Sequence, residues 1–170
     1  MKKMICAVLA AEMALSLFGC ADVGAKKSNK KDKDDDTKQV QADLDALKEN
    51  DGVLLEITRT PQEAMSPEEF DNAICTWTVS YSGYAFCPNP VEETGVQMKD
   101  KDLLFIYEFC IDAYENDTFK DYDEVVDDGD TYSFTYYDTD GGMHVLYSGY
   151  CYSNEDLQQV LEVLYKYENK

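Results

Sequence analysis

The feature that most constrains the fold is the stretch TYSFTYYDTDGGMHVLYSGYCY at positions 131–152. Polar and apolar side chains alternate on both sides of Asp140-Gly141, a dipeptide favoured in tight β-turns. This pattern predicts an antiparallel hairpin, and a loop of two or four residues would place His144 beside Thr135 on the solvent-facing side. The same loop would place on the core face Tyr132, Phe134, Tyr136, Met143, Val145 and Tyr147.

In the rest of the chain beyond residue 39, apolar spacing and capping residues predict a mixture of helices and strands. In chain order we expect a short helix in 40–50, a strand in 52–60, a helix starting at Ser66, a strand in 74–83, a loop in 82–95, a helix in 101–117, the hairpin, and a final helix capped by Ser153. Hairpins and alternating strands favour an antiparallel sheet. The predicted fold class is therefore α+β, with about four strands and helices packed on one face in two layers.

The charge of the chain is strongly acidic, with 35 Asp and Glu against 15 Lys and Arg, a net charge of −20. Such a chain repels phosphate, so we expect no nucleic-acid partner. The charge is also unevenly distributed. Residues 26–38 carry six Lys and four Asp, whereas residues 39–170 carry seven basic and 29 acidic side chains. The first segment is typical of a flexible, solvated tether and the second of a single folded domain.

The N-terminus carries an export pattern that ends on a cysteine. Lys2 and Lys3 precede a short apolar run that ends at Leu17-Phe18-Gly19-Cys20. This sequence resembles the lipobox of bacterial lipoproteins. The resemblance implies a signal peptide over 1–19, a diacylglyceryl group on Cys20, and a tether over 20–38 that leads to a domain over 39–170. It also implies a location on the outer face of the cytoplasmic membrane, or on an outer membrane if the source has one. The alternative is an ordinary signal peptide with a chance cysteine.

A second, looser resemblance covers the chain from Leu103 to Lys170. It rests on Asp128-Gly129-Asp130, Ser133-Phe134 and Asp140-Gly141. These residues resemble a pattern in small lipid-anchored domains of gut clostridia, in which a helix is followed by a hairpin and a closing helix. The resemblance implies a fold and no particular activity.

Four cysteines remain in the predicted domain: Cys75, Cys87, Cys110 and Cys151. An extracytoplasmic location permits disulfides, and four cysteines allow three connectivities. The pairing to test first is Cys75–Cys87 with Cys110–Cys151. Buried free thiols are the alternative, since reduced cysteine packs as a small apolar side chain. No C-x-x-C occurs, so we expect no redox catalyst.

The acidic clusters and the single histidine are the candidate residues for metal binding and catalysis. Asp127, Asp128 and Asp130 are separated from Asp138 and Asp140 by a strand of about 23 Å, so the two clusters cannot share an ion. Neither cluster has the spacing of a calcium loop. His144, the only histidine, lies within a strand, and no nucleophile motif surrounds any serine. We therefore expect no metal, no cofactor and no catalytic residue.

The aromatic residues left outside the predicted core are Tyr84 and Phe86 in the 82–90 loop, with Tyr150 and Tyr152 after the hairpin. Beside an acidic surface they form a candidate ligand patch. The sequence thus leads to two hypotheses. The first is a non-catalytic, lipid-anchored module that binds an envelope protein or glycan. The second is a small envelope hydrolase, or an accessory subunit of an envelope enzyme, that uses His144 with carboxylates.

Overall fold

A computed structural model describes residues 44–63, 66–87 and 95–168. Cys20 and the segments interpreted as signal peptide and tether, residues 1–38, lie outside these ranges. The described residues form an α+β fold built on one antiparallel sheet, as the sequence predicts. None of the helices in these ranges has the length and apolar character needed to cross a bilayer.

Six strands and four helices lie within the described residues. The strands are β1 (Val53–Pro61), β2 (Cys75–Ser80), β3 (Tyr84–Phe86), β4 (Val96–Gln97), β5 (Asp130–Tyr137) and β6 (Met143–Gly149). The helices are α1 (44–48 within the described range), α2 (Pro67–Ala73), α3 (Asp100–Glu115) and α4 (Glu155–Tyr165). The strand order is β4-β3-β2-β1-β5-β6, and every neighbouring pair is antiparallel. The sheet is thus a meander of β1 to β4, with the β5–β6 hairpin paired to the other edge of β1.

The prediction of about four strands was wrong because β3 and β4 lie in and next to the segment predicted to be a loop. Both strands are too short to show alternation over several residues. A local contact starts β3: the Ser80 hydroxyl accepts a hydrogen bond from the backbone N–H of Tyr84 at 3.0 Å. Gly83, with φ of +86°, makes the intervening turn, a conformation that side chains disfavour.

One face of the sheet is buried and the other is open to solvent. On β1, Leu55 and Ile57 have no exposed surface, whereas Glu56 and Thr58, which alternate with them, are partly exposed. The open face carries hydroxyl side chains in register, such as Thr58 and Thr76, whose oxygens are 3.3 Å apart. Helix α3 contacts β1 and β6, and the ring of Tyr165 at the end of α4 lies 5.9 Å from that of Trp77 on β2.

The two long helices present apolar stripes to the sheet, as their spacing predicts. The stripe of α4 is Leu157, Val160, Leu161 and Leu164, all at most 1% exposed. Its cap differs from the prediction: the side chain of Asn154, not Ser153, accepts from the N–H of Leu157 at 3.0 Å. The Ser153 hydroxyl donates instead to the carboxylate of Glu124 at 2.7 Å. The Ser66 capping box of α2 is present as predicted.

The hairpin has a loop of three residues rather than two or four. Asp138 N–H donates to the Gly142 carbonyl at 2.9 Å, which leaves Thr139, Asp140 and Gly141 in the loop. Gly141 has φ of +83°, the left-handed conformation that ends a three-residue loop of this kind. An odd loop length shifts the register by one residue and exchanges the two faces of β6 near the turn.

A β-bulge at Leu146 restores the predicted register farther from the turn. Phe134 pairs with Tyr147, as predicted, whereas Thr135 pairs with Val145. The assignment of Met143 and Val145 to the core was therefore wrong, and their exposed fractions are 64% and 60%. The assignment of His144 to the solvent-facing side beside Thr135 was wrong for the same reason.

Candidate functional site

His144 pairs with Tyr136 across the hairpin, on the face that α3 covers. Its Nε2 lies 2.9 Å from Oδ2 of Asp138, and its ring centroid lies 4.2 Å from that of Tyr114 and 5.8 Å from that of Tyr136. The other oxygen of Asp138 accepts backbone hydrogen bonds from Asp140 at 3.0 Å and Gly142 at 2.7 Å. The contact with His144, followed by these backbone bonds, lowers the pKa of the Asp138 carboxyl.

A histidine oriented by a carboxylate is two thirds of a hydrolytic triad. The third member would be a serine or cysteine hydrogen-bonded to the imidazole. In the described part of the chain the imidazole contacts one carboxylate and two tyrosine rings, with no such nucleophile. The observed contacts instead tie the hairpin loop to strand β6 and to α3.

The four aromatic residues of the predicted ligand patch do not come together. Tyr84 and Phe86 are on β3, near one edge of the sheet, and each is 43% exposed. Tyr150 and Tyr152 follow β6 at the opposite edge, with their rings stacked 6.4 Å apart. Four strand spacings separate β3 from β6, about 19 Å. The patch is therefore two separate aromatic pairs.

The four domain cysteines are free thiols in the structure, so neither predicted bridge is formed there. The register of β2 and β3 pairs Val79 with Ala85, and continued by two residues it sets Cys87 beside Trp77 rather than beside Cys75. Burial raises the pKa of Cys87 and of Cys151 to about 11. Such thiols are mostly protonated at neutral pH and are poor nucleophiles.

Metal ligands are not grouped within the described ranges: no three or more His, Cys, Asp or Glu side chains are arranged to hold an ion there. Asp130 lies 3.6 Å from the Nε of Arg59, the single arginine of the chain. The acidic clusters next to β5 are thus dispersed or locally paired.

A concave surface lies between α3, the turn after it, and the start of α4, and we call it the α3–α4 groove. It encloses about 270 Å³. Its residues are Phe105, Glu108, Phe109, Asp112, Ala113, Thr118, Phe119, Asp156 and Gln159. Three phenylalanines supply apolar surface, and three carboxylates lie among them.

The aromatic part of the groove is continuous with the protein core. The ring of Phe109 lies 5.8 Å from that of Phe119 and 6.3 Å from that of Phe134 on the sheet. Phe119 is 6% exposed, and its packing against these rings holds the turn after α3 in place. Rings held on several sides keep fixed positions, so the groove is a preformed surface.

The three carboxylates of the groove have different partners. Asp112 accepts a hydrogen bond from the Asn116 side chain at 2.8 Å, and Asp156 lies in the first turn of α4, where the helix dipole stabilises negative charge. Glu108 makes no hydrogen bond or ion pair with the described residues. Partial burial raises the pKa of the Glu108 carboxyl. Within the described residues, Glu108 is therefore a solvent-exposed groove carboxylate without a hydrogen-bonding or ionic partner.

The sequence of α3 carries a local signal for part of this groove. Phe105 and Phe109 are four residues apart, as are Glu108 and Asp112, so α3 carries an aromatic row beside an acidic row. Both rows flank the apolar stripe that packs on the sheet. The contributions of Phe119 and Asp156 come from other segments, and no local pattern indicates them.

The chain matches no protein-family model, and comparisons with curated proteins and with solved structures found no similar protein.

Proposed function

We propose that this protein is a lipid-anchored binding module of the bacterial cell envelope. In this account a diacylglyceryl group on Cys20 holds it at the membrane, residues 20–38 act as a tether, and the domain over 39–170 takes a ligand in the α3–α4 groove. The partner is an envelope component, a protein or a glycan, that carries or delivers this ligand.

The observation that carries the proposal is a concave surface in which three phenylalanine rings lie among polar side chains. Concave apolar surfaces with a few convergent polar groups are the usual form of a ligand site. The α3–α4 groove has that form, and its polar side chains are carboxylates, an amide and a threonine. The ring of His144 lies 4.2 Å from that of Tyr114, and neither residue lines this groove.

The membrane part of the proposal rests on the sequence pattern at Leu17-Phe18-Gly19-Cys20. A thioether-linked diacylglycerol provides two acyl chains, and each buried methylene contributes about 0.8 kcal/mol, so two chains anchor stably where one would not. The lysine-rich tether would then lie beside an anionic membrane surface, and the acidic domain would be repelled from that surface.

The anchoring test compares the full-length chain with its Cys20→Ala variant in a bacterial host fed an alkyne fatty acid. We expect the natural chain to incorporate the label and to enter the detergent phase, and the variant to do neither. The Cys75→Ala variant is the matched control, because it removes a different thiol and should keep both properties. An unlabelled natural chain, or equal labelling of the Cys20→Ala variant, would refute the anchor.

The binding test uses the anchored protein in its native envelope with a photo-crosslinker at position 159, which lines the groove, or at position 76, on the open face of the sheet. We expect a defined adduct from position 159 that is lost in the Glu108→Lys variant and kept in the Glu68→Lys variant. Both substitutions change the net charge equally. Adducts only from position 76 would move the binding surface to the sheet.

A second candidate function, a small envelope hydrolase, is favoured by the contact of 2.9 Å between His144 and Asp138. Turnover of p-nitrophenyl acetate well above the buffer rate, lost in His144→Gln and kept in Asp140→Asn, would support it. Equal rates for the natural chain and His144→Gln would leave the binding module as the better account.

A further inference from the structure

We propose that the ligand of the α3–α4 groove is a small organic ammonium ion, with its apolar body against the phenylalanine rings and its charged nitrogen at the Glu108 carboxylate. This inference rests on the proposed function, because it names the ligand class of that binding site.

The aromatic surface supports an ammonium ligand in two ways. Phe105, Phe109 and Phe119 all line the groove, so an apolar body is removed from water on entering it. The faces of aromatic rings also carry partial negative charge and attract a cation within about 6 Å of the ring centre. An alkylammonium or arylalkylammonium ion uses both interactions, whereas a neutral aromatic molecule uses only the first.

The charges around the groove exclude an anion and favour a cation. Glu108, Asp112 and Asp156 all line it, and no basic side chain does. The ion pairs found among the described residues involve Lys48, Arg59 and His144, none of which is a groove residue. Since Glu108 has no basic partner in the part of the chain that the structure describes, a bound ammonium ion would not have to displace one there.

The size of the groove limits the ligand to a small one. Sites for drug-sized molecules usually enclose about 300 to 1,000 Å³, and this groove, at about 270 Å³, is just below that range. A single ring or short chain bearing one ammonium group fits such a volume. A lysine side chain at the tip of a partner peptide would present the same chemistry, and the experiment below separates the two sources.

Partial desolvation of the Glu108 carboxyl, whose side chain is still solvent-exposed, adds a pH dependence to this binding. Its pKa is raised by desolvation, so its charge is lost at a higher pH than for a free glutamate. Since the ammonium ion needs the charged carboxylate, affinity should fall as the pH is lowered through the raised pKa. A neutral ligand of the same shape should show no such dependence.

The experiment titrates the full chain in detergent micelles with three probes of similar shape: phenethylammonium, 2-phenylethanol and 3-phenylpropionate. Calorimetry at pH 7 and pH 4 measures each dissociation constant after subtraction of binding to empty micelles. We expect phenethylammonium to bind at least about tenfold more tightly than 2-phenylethanol, which is about 1.4 kcal/mol, and 3-phenylpropionate to bind least. We expect the advantage of the cation to shrink at pH 4.

Matched variants locate the effect. Glu108→Gln keeps the side-chain shape and should remove most of the preference for the cation, while Glu115→Gln, at an exposed position of the same helix that does not line the groove, should leave it unchanged. An acetylated lysine tripeptide that binds better than phenethylammonium would overturn the small-molecule assignment. Equal binding of cation and alcohol, or a preference that survives Glu108→Gln, would overturn the ammonium proposal and leave the groove as a neutral-ligand site. Failure of all three probes would refute both the ammonium proposal and the assignment of the groove as the ligand site, while the Cys20 test would still decide the anchor.

Discussion

Removing the Asp138 carboxylate should destabilise the domain by releasing the three-residue hairpin loop. One oxygen of this carboxylate accepts from the backbone N–H groups of Asp140 and Gly142, at 3.0 Å and 2.7 Å, and the other lies 2.9 Å from His144. Hydrogen bonds to a charged group contribute about 1.5 to 3 kcal/mol each when well buried. The Asp138 side chain is 33% exposed, so water replaces part of this on mutation.

The closest measured analogy is a helix N-cap, where loss of an aspartate costs about 0.5 to 2 kcal/mol. We therefore expect Asp138→Ala to lower the free energy of unfolding by about 1 to 2 kcal/mol at pH 7. The neighbouring Asp140→Ala variant is the control, because the Asp140 side chain makes no such contacts, and it should stay within about 0.5 kcal/mol of the natural chain.

Urea unfolding followed by Trp77 fluorescence measures both variants, since this residue is the single tryptophan and is 2% exposed in the core. The slope with urea should be unchanged and the midpoint of Asp138→Ala should fall. If Asp138→Ala and Asp140→Ala unfold at the same urea concentration, the carboxylate does not hold the loop, and the explanation of the hairpin register is wrong.

The pH dependence of the same difference follows from the lowered pKa of Asp138. A carboxylate with a pKa below its usual 3.8 stabilises the folded state above that pH. This contribution is lost as the pH falls through the lower, folded-state value. The stability gap between the natural chain and Asp138→Asn should therefore narrow below about pH 4.

Three further predictions concern the core and the thiols. Leu161→Ala on α4, at a position 1% exposed, should cost about 2 to 5 kcal/mol in urea unfolding, while the exposed neighbour Glu162→Ala should cost little. Tyr167→Phe removes a hydroxyl that donates to buried Asp102 at 2.5 Å, so we expect a loss of about 1 to 3 kcal/mol and would doubt that contact if the melting temperature did not change. Thiol titration in denaturant without reductant should find the four domain cysteines free, and two or four fewer thiols would establish disulfides.

The long amphipathic elements were predictable because one apolar face decides their position. In α4, Leu157 and Leu161 lie one turn apart and both are buried. In β2, Trp77 and Val79 are likewise buried, with Thr78 between them on the open face. In such segments the local pattern and the tertiary contacts select the same conformation.

The hairpin register was predictable only for the part farther from the turn than the bulge at Leu146. Asp140-Gly141 correctly located the turn, but the dipeptide is compatible with loops of two, three or four residues. The side chain of Asp138, which bonds the backbone inside the loop, favours three, and the bulge at Leu146 corrects the register afterwards. Neither a side-chain-to-backbone bond nor a bulge leaves a signature in hydrophobic alternation.

The α3–α4 groove could be predicted only in part, because it is a tertiary feature. Phe105 and Glu108 lie on one helix, and their spacing is readable from the sequence. Phe119 and Asp156 reach the same place through a turn and through the packing of α4 beside α3. The residues of the predicted ligand patch also depend on tertiary structure. Tyr84 and Tyr152 are both exposed tyrosines, yet the strand order puts them at different edges of the sheet.

The measurement that tests the account most directly is the titration of the Glu108 carboxyl by carbon-detected NMR, with and without phenethylammonium. We predict that the pKa of the Glu108 carboxyl lies above the ordinary 4.5 in the free protein. It should be lower when the cation is bound, because the bound charge stabilises the carboxylate. The Glu115 carboxyl should titrate identically in both samples. A Glu108 pKa that does not change under saturating phenethylammonium would show that no cation lies beside this carboxylate, and would contradict the assignment of the groove.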